Sequence, residues 1–235
     1  MMNEICDHYI IDNFLKEDLA KQLSDEFMEY DSPNWFVYNN AIEVKKTSNN
    51  WYHFPPKTYQ LLQYLNSPEF IQRLELITGI PDLQPDIGLH GAGWHIQGRD
   101  SKLNVHLDYS IHPKLKLERK LNLIIYLTPG WDPKWGGNLE FWSHDPITNI
   151  PKSKVKTVEN VFNRAVLFDT TQNSWHGFND AMTCPEGVYR KSIAMYYLTE
   201  PSAEASTRVR ALFAPSEQQK NDKDILKLIE DRVKL

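Results

Sequence analysis

The length, composition and charge of the chain exclude several classes of protein. Its 235 residues, 41% of them hydrophobic and 24% charged, are typical of a folded protein rather than of a disordered chain, and we expect a single domain over residues 1–235. The 31 acidic residues outnumber the 26 basic ones, so no global basic surface predicts a nucleic-acid partner.

The N-terminus and the two cysteines bear on location and metal chemistry. The opening residues, MMNEICDHYIIDNFL, lack the apolar core of a secretion signal, and no run of about 18 apolar residues predicts a membrane span. We therefore expect a cytoplasmic protein without a membrane partner. Cys6 and Cys184 lack Cys-x-x-Cys spacing, so neither a disulfide framework nor a thiolate zinc site is predicted.

The first part of the chain, residues 1–86, is predicted to be a support built mainly from helices. A short extended run at IID leads into a helix with apolar residues four apart, at positions 15, 19, 23 and 27. The segment WFVYNN (35–40) predicts a strand, and TYQLLQYLNS and PEFIQRLELITGI predict two helices. These helices are too few to form a core alone, so we expect them to brace a β-sheet.

From residue 87 onward, short β-rich runs alternate with Gly, Pro and Asp clusters. The predicted strands cover 87–97, 102–109, 121–128, 138–142, 155–162, 164–168, 174–178 and 188–198. This spacing favours a sandwich or an open barrel as the core, over residues 87–200. The remainder, 201–235, is predicted to be a C-terminal extension with one amphipathic helix, NDKDILKLIEDRVKL.

The segment NVHLDYS (104–110) holds the first candidate functional residues. Side chains at i and i+2 of a strand face the same way, so His106 and Asp108 would lie side by side. This pair suits a metal ion, and it suits a buried hydrogen bond equally well. His176, in TQNSWHGF, has apolar neighbours that are typical of a buried structural histidine as well as of a ligand.

Two later strands carry polar residues on one face. In YRKSIAMYYLTE the alternation places Arg190 and Ser192 together, where they could bind a carboxylate. In LNLIIYLT it places Asn122 and Tyr126 together. The alternative is structural: Arg190 would pair with a carboxylate of the chain, and Tyr126 would be a core aromatic.

Taken in order, these segments resemble the Fe(II)- and 2-oxoglutarate-dependent dioxygenases, and within them the prolyl-4-hydroxylase-like branch. The resemblance covers about residues 10–201 and depends on NVHLDYS, RKLNLIIYLTPGWDPKWGGNLEFW, RAVLFDTTQNSWHGF and YRKSIAMYYLTE. It implies a mainly β fold with flanking helices (α+β), in which a double-stranded β-helix of the jelly-roll, cupin-like type is braced by the N-terminal helices.

The resemblance also implies the cofactors and their residues. Fe(II), 2-oxoglutarate and O₂ would be used, with ascorbate as reductant. The implied metal ligands and catalytic residues are His106, Asp108 and His176, and the implied 2-oxoglutarate contacts are Arg190, Tyr126, Ser192 and Asn122. Three ligands leave positions open on the metal, whereas structural zinc is closed by four.

Two further residues, His95 and Arg119, are candidates for a contact to substrate or to a metal ligand. Where the branch often has a tyrosine, on the strand before His-x-Asp, this chain has GWHIQGRDSKLNV, so we interpret His95 as a contact to substrate or to a ligand residue, or as structural. Arg119 has the same candidate role, in the loop YSIHPKLKLERK, which is interpreted either as a substrate lid or as a solvated charged loop.

The activity that the resemblance implies is hydroxylation coupled to conversion of 2-oxoglutarate to succinate and CO₂. The substrate would be a prolyl residue in a protein or peptide, and the alternative is a small molecule or a sugar. Two other classes stay open: a non-catalytic β-barrel binding module, and a zinc-dependent hydrolase with the same three ligands, which would leave Arg190 unexplained.

Overall fold

The fold is taken from a computed structural model that describes residues 4–145 and 147–234. The helices within these residues are α1 (Glu17–Asp25), α2 (Pro56–Leu65), α3 (Pro68–Thr78) and α4 (Lys223–Lys234). The strands are β1 (His8–Ile11), β2 (Phe36–Asn39), β3 (Val44–Ser48), β4 (Gln84–Pro85), β5 (Gly93–Gln97), β6 (Leu103–Leu107), β7 (Glu118–Tyr126), β8 (Leu139–Asp145), β9 (Ile150–Val158), β10 (Ala165–Asp169), β11 (His176–Phe178), β12 (Arg190–Thr199) and β13 (Leu212–Phe213).

The strands form two antiparallel sheets. The larger has the order β1-β10-β7-β12-β5-β3-β2, and β4 also pairs with β12. The smaller has the order β13-β6-β11-β8-β9. Successive strands of the chain often lie in different sheets, as expected for the predicted jelly-roll core. None of the helices in the described ranges is long and apolar enough to cross a membrane.

Helices α1, α2 and α3 pack on the outer face of the larger sheet, as predicted for the N-terminal helices. Leu23 of α1 and Leu62 of α2 are fully buried in one apolar cluster with Ile193 of β12. Trp94 of β5 is the centre of this packing, with the ring of Phe27 stacked 4.9 Å away. Because strand side chains alternate, burying this face leaves the opposite face of the sheet to its polar residues.

The C-terminal segment packs against the smaller sheet. Phe213 of β13 and Ile229 of α4 form an apolar cluster with Ile42, which precedes β3. The backbone of β13 pairs with β6, so this segment lies directly beside the strand that carries His106. Residues 201–234 are therefore part of the same packed structure as the sheets.

Several strand boundaries differ from the predictions. The run 87–97 is a strand only from Gly93, because Leu89 and Gly91 have φ of 51° and 79°, and turns precede the strand. The predicted 155–162 strand begins and ends earlier, at Ile150–Val158. Strand β3, VKKTS, was not predicted because its two lysines conceal the alternation of a half-buried strand.

Candidate active site

A cavity of about 380 Å³ lies between the inner faces of the two sheets. It is lined by side chains from β5, β7 and β12 on one side and from β6 and β11 on the other. Most of the candidate residues face this cavity: His95, His106, Asp108, Arg119, Asn122, His176, Arg190 and Ser192. The structure therefore gathers residues that are up to 97 positions apart in the sequence into one site.

Three candidate residues form a compact buried group. His106 of β6 and His176 of β11 are opposite each other across the strand pair, with ring centroids 4.3 Å apart. Asp108 follows β6, and its carboxylate oxygens lie 3.6 Å from His106 Nε2 and 4.0 Å from His176 Nε2. One ligand atom from each residue lies within 4.8 Å of the others, a spacing at which the three could hold a metal ion.

Backbone carbonyls determine the orientation of both imidazoles. The Nδ1 of His106 donates to the carbonyl of Asn104 at 2.9 Å, and the Nδ1 of His176 donates to the carbonyl of Ser174 at 2.7 Å. In the neutral rings both Nε2 atoms then carry lone pairs that face the carboxylate. Burial, with His106 nearby, lowers the pKa of His176 to about 4, so its ring is neutral at pH 7.

The carboxylate of Asp108 is held in its charged form. Burial by itself would raise the pKa of Asp108, but the Arg119 guanidinium and the two histidines lower it below its usual range. Arg119 Nη1 lies 3.4 Å from Asp108 Oδ1. Asn122 Nδ2 donates to the other oxygen, Oδ2, at 3.1 Å. Asn122 thus contacts a candidate metal ligand, although it was predicted to contact 2-oxoglutarate.

Arg119 lies in β7 and not in the loop where the sequence placed it. Arg119 belongs to β7, is buried, and its guanidinium carbon lies 3.3 Å from the ring centroids of both Tyr109 and Tyr196. The loop before it is anchored, because the N–H groups of Ser110 and Ile111 donate to the carbonyl of Arg208. The start of the loop is therefore held by the C-terminal segment, and Arg119 lies beside Asp108, a candidate metal ligand.

Arg190 is a buried cation at the other end of the cavity. Its Nε donates to the carbonyl of Gly137 at 2.8 Å, and its Nη1 donates to Gln97 Oε1 at 3.0 Å. Among residues 4–145 and 147–234, no carboxylate lies within 4.0 Å of it, and burial lowers its pKa. A buried guanidinium without a counter-ion is costly, so this end of the cavity favours an anionic ligand.

Tyr126, Ser192 and His95 surround Arg190 in different ways. The ring centroid of Tyr126 lies 5.0 Å from the guanidinium carbon, and its buried hydroxyl has no partner within the described ranges. Ser192 lines the cavity beside His95, its neighbour on β5. Burial, with Lys45 and Arg190 nearby, lowers the pKa of His95 to about 3, so this ring faces the cavity as a neutral group.

Three contributors to the site were missed in the sequence. Gln97 and Gly137 position Arg190, and the ring of Phe213 stacks on His106 with centroids 4.9 Å apart. The glycine pair in WGGN is the feature of the sequence that could have indicated Gly137. A Cβ at Gly137 would lie 2.9 Å from Arg190 Cδ, so a glycine is needed there.

The chain is similar to several known oxygenases in sequence and fold. The chain is 27% identical over 200 residues to prolyl 3-hydroxylase OGFOD1 of Mus musculus; the match covers 83% of this chain and 34% of the relative, so the chain spans about a third of that protein's length. A Pseudomonas putida prolyl-4-hydroxylase structure has a TM-score of 0.58 at 18% identity, with 83% of this chain and 94% of that one covered. HygX of Streptomyces hygroscopicus, solved with nickel, 2-oxoglutarate and hygromycin B, has a TM-score of 0.55 at 13% identity, with 84% and 86% covered.

The family match coincides with the part of the chain that carries the site. Residues 92–198, which include both candidate histidines, Asp108 and Arg190, match the 2OG-Fe(II) oxygenase superfamily. The family description names the metal and the cosubstrate that the sequence predicted. Over residues 92–198, less than half of the chain, the protein is thus similar to the 2OG-Fe(II) oxygenase superfamily.

Proposed function

We propose that the chain is an Fe(II)- and 2-oxoglutarate-dependent dioxygenase that hydroxylates a prolyl residue in a protein or peptide. The observation that carries the proposal is the pairing, in one cavity, of a buried group of three acceptor side chains with a buried, unpaired guanidinium. The group of three acceptors can hold a cation, and the guanidinium favours an anion. Iron and 2-oxoglutarate together supply both charges.

The three acceptor residues fit iron. Because their Nδ1 protons are used by carbonyls, His106 and His176 offer only lone pairs to the centre of the group, and Asp108 offers a carboxylate. Without a cation, these groups would face one another with no donor between them. Two histidines and one carboxylate are also the ligand set of non-haem iron oxygenases. His106, Asp108 and His176 would therefore hold the metal.

The surroundings of Arg190 fit a dicarboxylic acid. Arg190 would bind the distal carboxylate of 2-oxoglutarate, with Tyr126 donating from its unpartnered hydroxyl and Ser192 from the adjacent strand position. The alternative that Arg190 pairs with a carboxylate of the protein loses its support, because no such partner is within reach in the described ranges. Gln97 and Gly137 keep the guanidinium aimed at the cavity.

When bound, iron with 2-oxoglutarate and O₂ would supply the oxidant that inserts an oxygen atom into a substrate C–H bond, and 2-oxoglutarate would be converted to succinate and CO₂. The chain's own residues bind and position the reactants. Arg119 and Asn122 hold Asp108 in its charged, correctly rotated form. Ile124, Leu139 and Ala194 line the cavity with apolar surface, which excludes water from the reacting centre.

Support for a prolyl substrate comes from the relatives. OGFOD1 is a prolyl 3-hydroxylase, and the Pseudomonas putida neighbour is a prolyl-4-hydroxylase. The HygX structure holds hygromycin B, which keeps a small-molecule substrate as the competing candidate. The two candidates share the cofactor chemistry and differ only in what fills the remainder of the cavity.

The test measures succinate production and product mass together. Purified protein is incubated with Fe(II), 2-oxoglutarate and ascorbate, with and without a panel of proline-containing peptides, and products are analysed by mass spectrometry. We expect iron-dependent succinate and a peptide product heavier by one oxygen atom. His106→Ala and Asp108→Ala should abolish both, whereas His53→Ala, outside the cavity, should change neither.

Two results would count against the proposal. Unchanged succinate production in the His106→Ala variant would overturn the metal site. Coupled turnover of a small molecule, together with an unmodified peptide panel, would overturn the prolyl substrate and retain the oxygenase chemistry.

A further inference from the structure

Strand β2 is the outermost strand of the larger sheet and lies at the mouth of the cavity. It pairs with β3 alone, and its other side has no strand neighbour within the described ranges. Phe36 and Tyr38 of β2 line the cavity, and their rings pack with centroids 4.8 Å apart. An unpaired strand edge thus adjoins the route into the site.

The pairing with β3 shows which backbone groups are free. Asn40 N–H donates to the carbonyl of Glu43 at 3.0 Å, so Tyr38 and Phe36 also exchange hydrogen bonds with β3. In an antiparallel pair the intervening residues turn their N–H and C=O groups the other way. Val37 and Asn39 therefore present donors and acceptors outward, along an exposed edge.

The other strand edges are protected or remote from the cavity. Strand β9 carries three lysines, the kind of charge that blocks strand addition, at positions 152, 154 and 156. Strand β13 packs against α4, and no residue of β1 or β4 lines the cavity. Strand β2, with the sequence FVYN, has neither charge nor proline, and Phe36 and Val37 are 63% and 55% exposed. The unprotected edge is the one at the cavity mouth.

The charges at the mouth indicate the chemistry of the occupant. Lys45 and Arg232 line the cavity near β2, beside a single carboxylate, Glu43. Glu43 is already paired with both Lys45 and Arg232. The rim therefore carries excess positive charge in a protein whose net charge is −5, and it favours acidic residues in whatever binds there.

We propose that the outer edge of β2 binds an extended, acidic segment of a polypeptide substrate as an added β-strand. This inference rests on the proposed function, because the same polypeptide must carry the residue to be oxidised. A strand added outside β2 is four strand positions from β12, about 19 Å, which an extended chain crosses in about six residues. The docked segment and the oxidised residue are therefore separate parts of one polypeptide, and a free amino acid cannot use the edge.

A substitution that changes one backbone group of β2 tests the docking edge most directly. Proline at position 37 removes an outward N–H and leaves the bonds to β3 intact, whereas Val37→Thr keeps the N–H and a β-branched side chain. The probes are synthetic peptides of roughly 16 residues with a central proline, flanked either by aspartates or by lysines, and N-acetylproline amide as the short control. Affinity is measured anaerobically with Fe(II) and 2-oxoglutarate present.

We expect the aspartate peptide to bind best and to slow amide hydrogen exchange at Val37 and Asn39. Val37→Pro should weaken its binding about fivefold to tenfold, the value of one lost hydrogen bond, and Val37→Thr should not. N-acetylproline amide should bind both variants equally. Thermal unfolding of the two variants verifies that they are folded, and the exchange measurement on the unsubstituted protein provides a second readout.

Three results would overturn the docking edge: equal binding by the two variants, exchange at Val37 and Asn39 unaffected by peptide, or no peptide of the panel binding. If the peptide is hydroxylated and Val37→Pro has no effect, only the docking edge is wrong. If no peptide is hydroxylated and a small molecule is, the proposed prolyl substrate is wrong as well.

Discussion

Arg190 shows how a single side chain depends on neighbours that are distant in the sequence. Its guanidinium is fixed by Gln97, on an adjacent strand, and by the carbonyl of Gly137, in the turn before β8. This fixed guanidinium lines the cavity, and no carboxylate of the described residues lies within 4.0 Å of it. Arginine suits the position better than lysine, because a planar fork can bind a carboxylate while remaining bonded to its supports.

Substituting Arg190 should affect 2-oxoglutarate more than iron. We expect Arg190→Met to raise the KM for 2-oxoglutarate at least a hundredfold, about 3 kcal/mol, because charge-assisted hydrogen bonds are lost. Arg190→Lys should retain part of the affinity. Metal binding by calorimetry should stay within about twofold, and Arg164→Lys, at a surface ion pair with Asp12, is the control. Equal losses of metal and cosubstrate binding would instead indicate general damage to the fold.

Gly137→Ala tests the support of Arg190 with a matched control. Gly137 and Gly187 both have positive φ, 71° and 77°, so alanine is strained by about 1 kcal/mol at either. At Gly137 the new Cβ would also lie 2.5 Å from Met182 Sδ and 2.9 Å from Arg190 Cδ, whereas at Gly187 it meets nothing within 4 Å. We expect Gly137→Ala alone to raise the KM for 2-oxoglutarate. An equal effect of the two substitutions would show that backbone strain is the whole cause.

The cysteines should be inert in the folded protein. Cys6 is 2% exposed, and burial, with Asp169 nearby, raises the pKa of its thiol to about 12. Cys184 is also buried, with a raised pKa. Because only the thiolate reacts, iodoacetamide at pH 8 should label neither until denaturant is added, as followed by mass spectrometry. Labelling of Cys6 in the native protein would show that the N-terminal segment opens readily.

At the scale of the element, β12 carries the site on one face and the core on the other. Arg190 and Ser192 face the cavity, while Ile193 and Met195 are fully buried beneath the helices. The strand can do both because both of its faces are covered, one by helices and the other by the second sheet. Its alternation was predicted correctly, since a strand with two buried faces still separates polar from apolar residues.

Substitutions at adjacent residues of β12 should therefore affect different properties, one the stability of the fold and the other the binding of 2-oxoglutarate. Ile193→Ala, at a fully buried position, should lower the free energy of unfolding by about 2–4 kcal/mol in urea titrations. Ser192→Ala should leave stability within about 0.5 kcal/mol and weaken 2-oxoglutarate binding by a few fold. If Ser192→Ala lowered stability and left 2-oxoglutarate binding unchanged, the role of the serine would be structural.

At the scale of the molecule, the site exists only where the two sheets face each other. His106, Asp108 and His176 come from the smaller sheet, Arg190 from the larger, and Phe213, beyond the family match, closes the side of His106. Closing the three acceptor groups over a cavity without a cation is unfavourable, so metal binding and folding should be coupled.

Metal removal should therefore destabilise the whole molecule. With Fe(II) or Mn(II) at about a hundred times its dissociation constant, stability should rise by about 2.7 kcal/mol, which corresponds to about 5–10 °C in Tm for a chain of this size. A chelator should reverse the shift in calorimetric scans, and Asp108→Ala should abolish it. A Tm that does not respond to metal in the unsubstituted protein would contradict the proposed ligand set.

The sequence by itself determined the family, the jelly-roll class and the order in which the site residues occur. It could do so because His106-x-Asp108, His176 and Arg190-x-Ser192 lie on or directly after strands whose period-two alternation can be recognised in the sequence, and residues 92–198 match the superfamily. Their roles as ligands and cosubstrate contacts stay predictions, as does the single-domain organisation. Strand β3 and the correct bounds of β5 and β9 were not predicted, because lysines and turns with positive φ interrupt the alternation of polar and apolar residues.

Only the tertiary structure decided what surrounds these residues. Three features depend on segments that are far apart along the chain and meet only in the folded structure. They are the burial of Arg119 between Tyr109 and Tyr196, the hydrogen bonds that hold Arg190, and the free edge of β2. Local patterns describe which face a side chain takes, because alternation is a property of one strand. They do not describe which strand will face it, because pairing and sheet order depend on the packing of the entire chain.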